Sequence, residues 1–392
     1  MLPLEGIKVL SIEQAVAAPL ASRHLADFGA EVIKIERPDG GDFSRAYDEK
    51  VCGLSTWFVW LNRSKQSLTL DLKHPEAAAI VTRLLSDADV FIANLAPGSA
   101  DRVGIGSSAL GAKFPRLIVC ELSGYGSSGP YQFKKAYDLL VQNETGLVSI
   151  TGTPELPAKA GISAADIAAG VYAFSGILLA LQMRQKTGRG TVLQVSLFDA
   201  LSEWMMPAGY NQAFAGTPPL RSGAEHASIA PYGPYTSGDA KPFAIGIQNE
   251  REWVQFCSEV LETPELAADT RFSTNSRRSD NRAELRAKMG EIFRRLTYAE
   301  IVARLDRAGI AHAHMNSVRE FLDHPQHAAR NRWRYVSSPV GPLPALVPPI
   351  SLSGVEPRMD PIPALGEHTD AILARLGYSH EQIRNLRSSG AI

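Results

Sequence analysis

The chain has 392 residues, 45% hydrophobic and 21% charged, an ordinary globular composition that excludes a disordered chain, a collagen-like repeat and a coiled coil. Lys and Arg total 40 against 41 acids, for a net charge of −1. The basic excess of a general nucleic-acid binder is absent, so any attraction for anions must be local. The most apolar stretch, residues 171–183, is shorter than the roughly 18 residues that a membrane span requires. No basic segment precedes an apolar one at the start, so no secretory signal is expected. Cys52, Cys120 and Cys257 are scattered, form no CxxC pair, and read as reduced thiols of a cytoplasmic protein.

Taken in chain order, residues 7–12 (IKVLSI) form a β-branched run suited to a buried parallel strand. A helix over residues 17–28 follows, closed by Gly29. Residues 31–36 (EVIKIE) are a second strand, and Pro75 opens a helix reaching residue 85. Residues 90–93 and 117–122 are two more short strands. The longest helix spans 166–186 and stops at Gly188, and residues 192–197 are again strand-like. This alternation predicts an α/β fold with a doubly wound, Rossmann-like parallel sheet in residues 1–200. Residues 201–240, rich in Gly, Pro, Ser and Tyr, are expected to link it to a smaller α+β domain at 241–329. That domain carries helices near 281–296 and 298–308. Residues 330–392 are expected as a proline-rich connector and a final helix pair that complete the large domain.

Gly124 to Gly129 spell G-x-G-x-x-G after a predicted strand, the pattern of a dinucleotide loop. Pro130 follows at once and no strand-terminal acid appears about twenty residues on, so a glycine-rich loop beside some other ligand is favoured. Asp166 starts the long helix, where a carboxylate can cap backbone N–H groups or act as a nucleophile in the positive field of the helix end. Arg37, Lys73, Arg102, Lys134 and Lys135 fall near predicted strand ends, where doubly wound sheets bind ligands. The histidines have no metal-ligand spacing beyond His312-x-His314, and no metal is assigned.

Together these segments resemble the class III CoA-transferases, the family of formyl-CoA transferase, carnitine CoA-transferase and α-methylacyl-CoA racemase. The resemblance is carried by Leu25 to Glu36, Gly41-Asp42, Asn62 to Lys65, Leu70 to Lys73, Asn94 with Pro97-Gly98, and Gly124 to Tyr131. Ala136 to Asp138, Thr151-Gly152, Asp166, Thr187 to Gly190 and Gly366 to Thr369 complete it. It implies that Asp166 is a catalytic nucleophile that carries CoA as an aspartyl thioester. Acyl-CoA is then a substrate, and no cofactor is permanently bound. The CoA contacts it implies are Val16, Ala17, Arg37, Leu70, Lys73, Asn94, Leu95, Arg102, Lys135, Tyr137 and Asp138. Helix N-terminal amides beside Asp166 are the expected oxyanion donors. Gly246 and Gln248 occupy the position of the family's glycine-rich lid, here with one glycine. The resemblance also implies an interlocked homodimer with no nucleic-acid or membrane partner.

A racemase on the same fold is the first alternative. It needs two proton-transferring groups at the α-carbon, and the position matching the racemase histidine is Tyr137, whose ordinary pKa near 10 suits a base poorly. A non-catalytic acyl-CoA-binding subunit and a nicotinamide oxidoreductase are weaker still. Arg221, His226, Tyr232 and Tyr235 offer groups for the distal carboxylate of a short diacid, and the resemblance, many of whose bacterial members handle C4 and C5 diacids, implies succinyl-CoA as donor and itaconate, mesaconate, citramalate or malate as acceptor.

Overall fold

The computed structural model describes all 392 residues, which group into two units. The larger comprises Met1–Thr145, Gly161–Met205 and Gln326–Ile392. Its centre is a six-stranded sheet built from β1 (Lys8–Ile12), β2 (Glu31–Glu36), β3 (Lys65–Thr69), β4 (Val90–Ala93), β5 (Ile118–Ser123) and β6 (Val192–Ser196). All neighbours are parallel, and the order is β3-β2-β1-β4-β5-β6. Covered on both faces, β4 reads as a continuous apolar run, and β1 and β2 bury Val9, Leu10, Ile12, Val32, Ile33 and Ile35 along with the polar Ser11, Lys34 and Glu36. The chain winds outward from β1 to β3 and then crosses back to β4 on the other side of β1. A crevice therefore opens at the carboxyl ends of β1 and β4, where the winding reverses.

Four helices of this unit are α1 (Ala17–Asp27), α2 (Ala77–Ser86), α3 (Asp138–Glu144) and α4 (Ala164–Thr187), of which α1, α3 and α4 reach the site. α4 corrects the expectation that every apolar stretch is too short to span a membrane, for its 24 residues suffice by length and composition; more than half of its most apolar part is buried, as in a core helix. Ala165, Ala168, Ala169 and Ala173 are fully buried, and these small side chains let α4 lie close on α1. At Gly170 an added Cβ would stand 2.7 Å from the carbonyl oxygen of Ala17.

The sequence pattern does not reveal β3, because its buried side chains include Lys65 and Ser67. It is an edge strand, and a distant part of the chain seals it. Ser67 N–H donates to Nδ1 of His368, Gly366 N–H donates to the Ser67 hydroxyl, and Thr69 N–H donates to the Thr369 hydroxyl.

The second unit comprises Gly146–Ala160 and Met206–Pro325. It holds an antiparallel sheet of β7 (Tyr232–Thr236), β8 (Pro242–Gly246) and β9 (Ala311–His314), with α5 (Arg282–Phe293) and α6 (Tyr298–Arg307). Phe243, Trp253, Phe256 and Phe293 form its core. The boundaries differ from those expected. Residues 201–240 contain helical turns and all of β7, and the unit also draws in residues 146–160. Arg221 makes that second attachment by donating to the carbonyl oxygens of Ser149, Thr153 and Pro154, while Gly223 N–H donates to Gly152 at 2.7 Å. Composition cannot signal an attachment made by one side chain on backbone carbonyls.

Candidate active site

A cavity of about 520 Å³ lies at the reversal of the winding, on the turns that follow β1, β4 and β5. Asn94, just after β4, bridges the crevice. Its Oδ1 accepts the N–H of Gln14 at 2.9 Å, and its Nδ2 donates to the carbonyl oxygen of Gln14 at 2.8 Å. Gln14 is thereby fixed beside Ala15, which sits at φ 64° in the left-handed region.

Asp166 faces this cavity from the first turn of α4. It does not cap its own helix. The helix begins after Ser163, and the capping carboxylate comes from Asp138 at the start of α3. Asp138 Oδ1 accepts the Ala165 N–H at 2.9 Å and the Asp166 N–H at 3.5 Å, and its Oδ2 accepts from Gln142 at 2.7 Å. Asp138 takes these amides and leaves the Asp166 carboxylate without a structural duty. The same bonds correct one expectation, since the Ala165 and Asp166 amides are already engaged and are not oxyanion donors.

Burial, and then the nearby charge of Asp138, push Asp166 up from 3.8 to about 7. The helix N-terminus favours the charged form, and desolvation outweighs it. A carboxylate poised there is ionised in a useful fraction near neutrality and is more basic than an exposed aspartate. Burial, with the carboxylates of Asp42 and Asp166, pushes Tyr47 up to about 12, so its hydroxyl stays a neutral donor at the cavity wall.

Of the residues expected to contact CoA, Val16, Ala17, Asn94, Leu95, Lys135, Tyr137 and Asp138 line the cavity together with Asp166. Arg37, Leu70, Lys73 and Arg102 do not. Leu70 is fully buried in the apolar core beside β2 and β3. Arg37 donates to the carbonyl oxygen of Gly41, Arg102 donates to the Ser99 hydroxyl, and Lys73 is exposed. The residues expected to form a lid and to hold a diacid lie in the second unit. Gly246 pairs with Tyr232 across β7 and β8, and the His226 ring stacks on Tyr232 with centroids 5.2 Å apart. The backbone N–H groups of Ser228 and Ile229 donate to Nδ1 of His226, which puts the ring proton on Nε2. Gln248 is exposed, and its N–H donates to Glu252. Two residues expected to hold a diacid are committed elsewhere: Arg221 to three carbonyls, and the buried Tyr235, whose hydroxyl meets the Met289 sulfur at 3.7 Å.

The family model of CoA-transferase family III matches residues 4–369. The chain belongs to that family. It is 33% identical to a succinate–glutarate CoA-transferase of Agrobacterium fabrum over 95% of this chain and 96% of that one. It is 31% identical to a succinyl-CoA–D-citramalate CoA-transferase of Chloroflexus aurantiacus over 100% and 98%. The crystal structure of a CAIB/BAIF family protein from Brucella suis matches with a TM-score of 0.83 at 35% identity, covering 96% of this chain and 99% of that one.

The glycine-rich loop at Gly124 is thus not the dinucleotide loop that its spelling suggests. No helix opens on it. α3 begins only at Asp138, and a Cβ on Gly124 would collide with that of Ala136 at 2.1 Å. In this class III CoA-transferase the cavity also uses Gln14, Ala15, Phe43, Tyr47 and Trp57, which the sequence did not single out. The available signal was Gly41-Asp42 before a serine, a turn that caps the next helical segment and carries Phe43 and Tyr47 behind it.

Proposed function

We propose that this CoA-transferase moves coenzyme A between two carboxylic acids through a covalent thioester on Asp166, with C4 and C5 dicarboxylates as its acids. The observation that carries this reading is the Asp138 cap, which frees a raised-pKa carboxylate on the cavity that Asn94 bridges.

An Asp166 carboxylate oxygen attacks the thioester carbonyl of the incoming acyl-CoA. The carbon–sulfur bond breaks, leaving a mixed anhydride and the CoA thiolate. The thiolate then attacks Cγ of Asp166, the anhydride C–O bond breaks, and the first acid leaves as its carboxylate. Asp166 now carries CoA as a thioester. The acceptor carboxylate attacks the same Cγ and releases the thiolate, which attacks the acceptor's acyl carbon and regenerates free Asp166. The thioester is conserved throughout, so no nucleotide hydrolysis is needed. Ionised Asp166 is required for the first attack, and its elevated basicity strengthens it as a nucleophile.

Val16, Ala17, Asn94, Leu95, Lys135, Tyr137 and Asp138 are the proposed CoA contacts around the thioester. The exposed Arg37, Lys73 and Arg102 are the cations proposed for its phosphates. The diacid assignment is supported by the names of the Agrobacterium and Chloroflexus relatives. His226 and Tyr232 remain the proposed contacts for the distal carboxylate, without Arg221 and Tyr235. Exposed apolar side chains such as Leu179 at 73% and Tyr335 at 77% support the reading of the chain as one half of a homodimer. The test is incubation with succinyl-CoA followed by mass spectrometry. The peptide bearing Asp166 is expected to gain the mass of CoA, and the same peptide from Asp166→Asn is not. A protein that transfers CoA with no such adduct would refute the covalent route.

A further inference from the structure

We propose that Asp42 is a positioning residue for acyl-CoA: it holds the Gln14–Ala15 turn, one wall of the cavity, in a conformation that the turn's own sequence disfavours. The inference rests on the assignment of that cavity to the acyl-CoA.

Ala15 lies at φ 64°, where a side chain is disfavoured and glycine is the usual occupant. Nothing in the residue type favours that conformation, so its neighbours must impose it. Fully buried Asp42 supplies the restraint. Its Oδ1 accepts the Ala15 N–H at 3.1 Å and the Ser44 N–H at 2.8 Å, and its Oδ2 accepts from Lys34 Nζ at 2.6 Å. The next residue adds a second tie, because Phe43 N–H donates to Oε1 of Gln14 at 3.1 Å. Lys34 also donates to Asn62 Oδ1, which accepts from Lys65, and Lys65 donates to Glu13 at 2.7 Å. Three consecutive residues, Glu13, Gln14 and Ala15, are therefore each tied down.

Neither Asp42 nor Lys34 lines the cavity, so both act through the turn. Buried ion pairs are poor investments in stability, since apolar replacements of both partners are often tolerated. Here the pair sits behind a backbone segment that must keep an unfavourable angle beside Val16 and Ala17. Without the Asp42 acceptor, the Ala15 N–H loses its partner and the residue relaxes to negative φ, carrying the wall with it. A misplaced wall weakens CoA binding by about tenfold, because ordering the turn must then be paid for on binding.

The experiment measures CoA binding by titration calorimetry and melting temperature for Asp42→Ala and for Lys34→Met/Asp42→Ala. The double variant leaves no orphaned buried cation and remains folded where the single variant fails. Both are expected to bind CoA about tenfold more weakly, and Lys34→Met/Asp42→Asn, which keeps an acceptor oxygen for the Ala15 N–H and leaves no orphaned buried cation, is expected to stay near wild type. The decisive addition is Ala15→Gly in the double variant. Glycine adopts the left-handed angle freely, so CoA affinity is expected to recover most of the loss while the melting temperature does not. A folded double variant that binds CoA within twofold of wild type overturns the proposal, as does a loss that Ala15→Gly leaves unchanged. Wild-type protein that binds no CoA overturns the cavity assignment itself, and this inference with it.

Discussion

Asp138 caps the helix that carries Asp166, accepting the Ala165 N–H at 2.9 Å and the Asp166 N–H at 3.5 Å. One carboxylate satisfies the helix end so that the other can face the cavity unpaired. The cap also acts as a like charge on the nucleophile, adding to the effect of burial. Structural support and chemical tuning are thus the work of one side chain.

The pH profile of the first half-reaction follows from this pairing. Ionised Asp166 is the attacking form, so kcat/KM for acyl-CoA is expected to rise with pH through a midpoint near 7. Asp138→Asn keeps an oxygen for the Ala165 N–H and removes the charge. Its midpoint is expected to move down yet stay above the ordinary carboxylate range, because burial is the larger cause. An unchanged midpoint in a folded Asp138→Asn would show that the charge does not reach Asp166.

Stability carries the same signature with the opposite sense. The folded value near 7 exceeds the 3.8 of the unfolded chain, so the native state holds this proton more tightly. The associated stability is complete below the unfolded value and is lost as pH rises through about 7. Asp166→Asn cannot ionise, so its stability relative to wild type is expected to grow between pH 5 and pH 8. Between pH 5 and the folded value near 7 lie about two pH units, which correspond to roughly 3 kcal/mol, and partial exposure of the side chain screens this to roughly 1–2 kcal/mol. Chemical denaturation at the two pH values is the measurement.

Gly170→Ala tests the approach of α4 to α1. In an exposed helix this change gains about 1 kcal/mol. Here the new methyl stands 2.7 Å from the Ala17 carbonyl oxygen, and backbone must move. A net loss of roughly 1–3 kcal/mol is expected in urea unfolding, and a gain would mean that the two helices separate easily.

Acceptor choice is measured with succinyl-CoA and a panel of acids. C4 and C5 diacids are expected to outcompete oxalate, carnitine and branched fatty acids. Arg221→Ala is expected to lower the melting temperature and leave the acceptor KM unchanged, since its guanidinium serves the carbonyls of Ser149, Thr153 and Pro154. A raised acceptor KM with unaltered melting would return Arg221 to the substrate.

The strands that face apolar neighbours on both sides were legible in the sequence, as were α1 and α4. β3 was not, because Lys65 and Ser67 point into a buried polar network and read as surface residues in a one-dimensional pattern. Asp166 was singled out from its place at a helix start, yet its freedom there depends on a carboxylate 28 residues earlier in the chain. Arg221 looked like an anion receptor because sequence shows a charge and conceals the carbonyls that claim it. The left-handed Ala15 had no signal in its residue type, and the contacts that hold its turn, from Asp42, Phe43 and Asn94, come from distant positions in the sequence.

The closing of β3 by His368 and Thr369 sets an order on the birth of the molecule. Ser67 and His368 lie 301 positions apart, so during synthesis the edge of the sheet waits while the whole second unit is made. Until residues 366–369 leave the ribosome, the outer side of β3 is uncovered and able to pair with another nascent chain. Fidelity of folding in this enzyme is thus a race between the emergence of a four-residue clasp and the meeting of two unfinished neighbours.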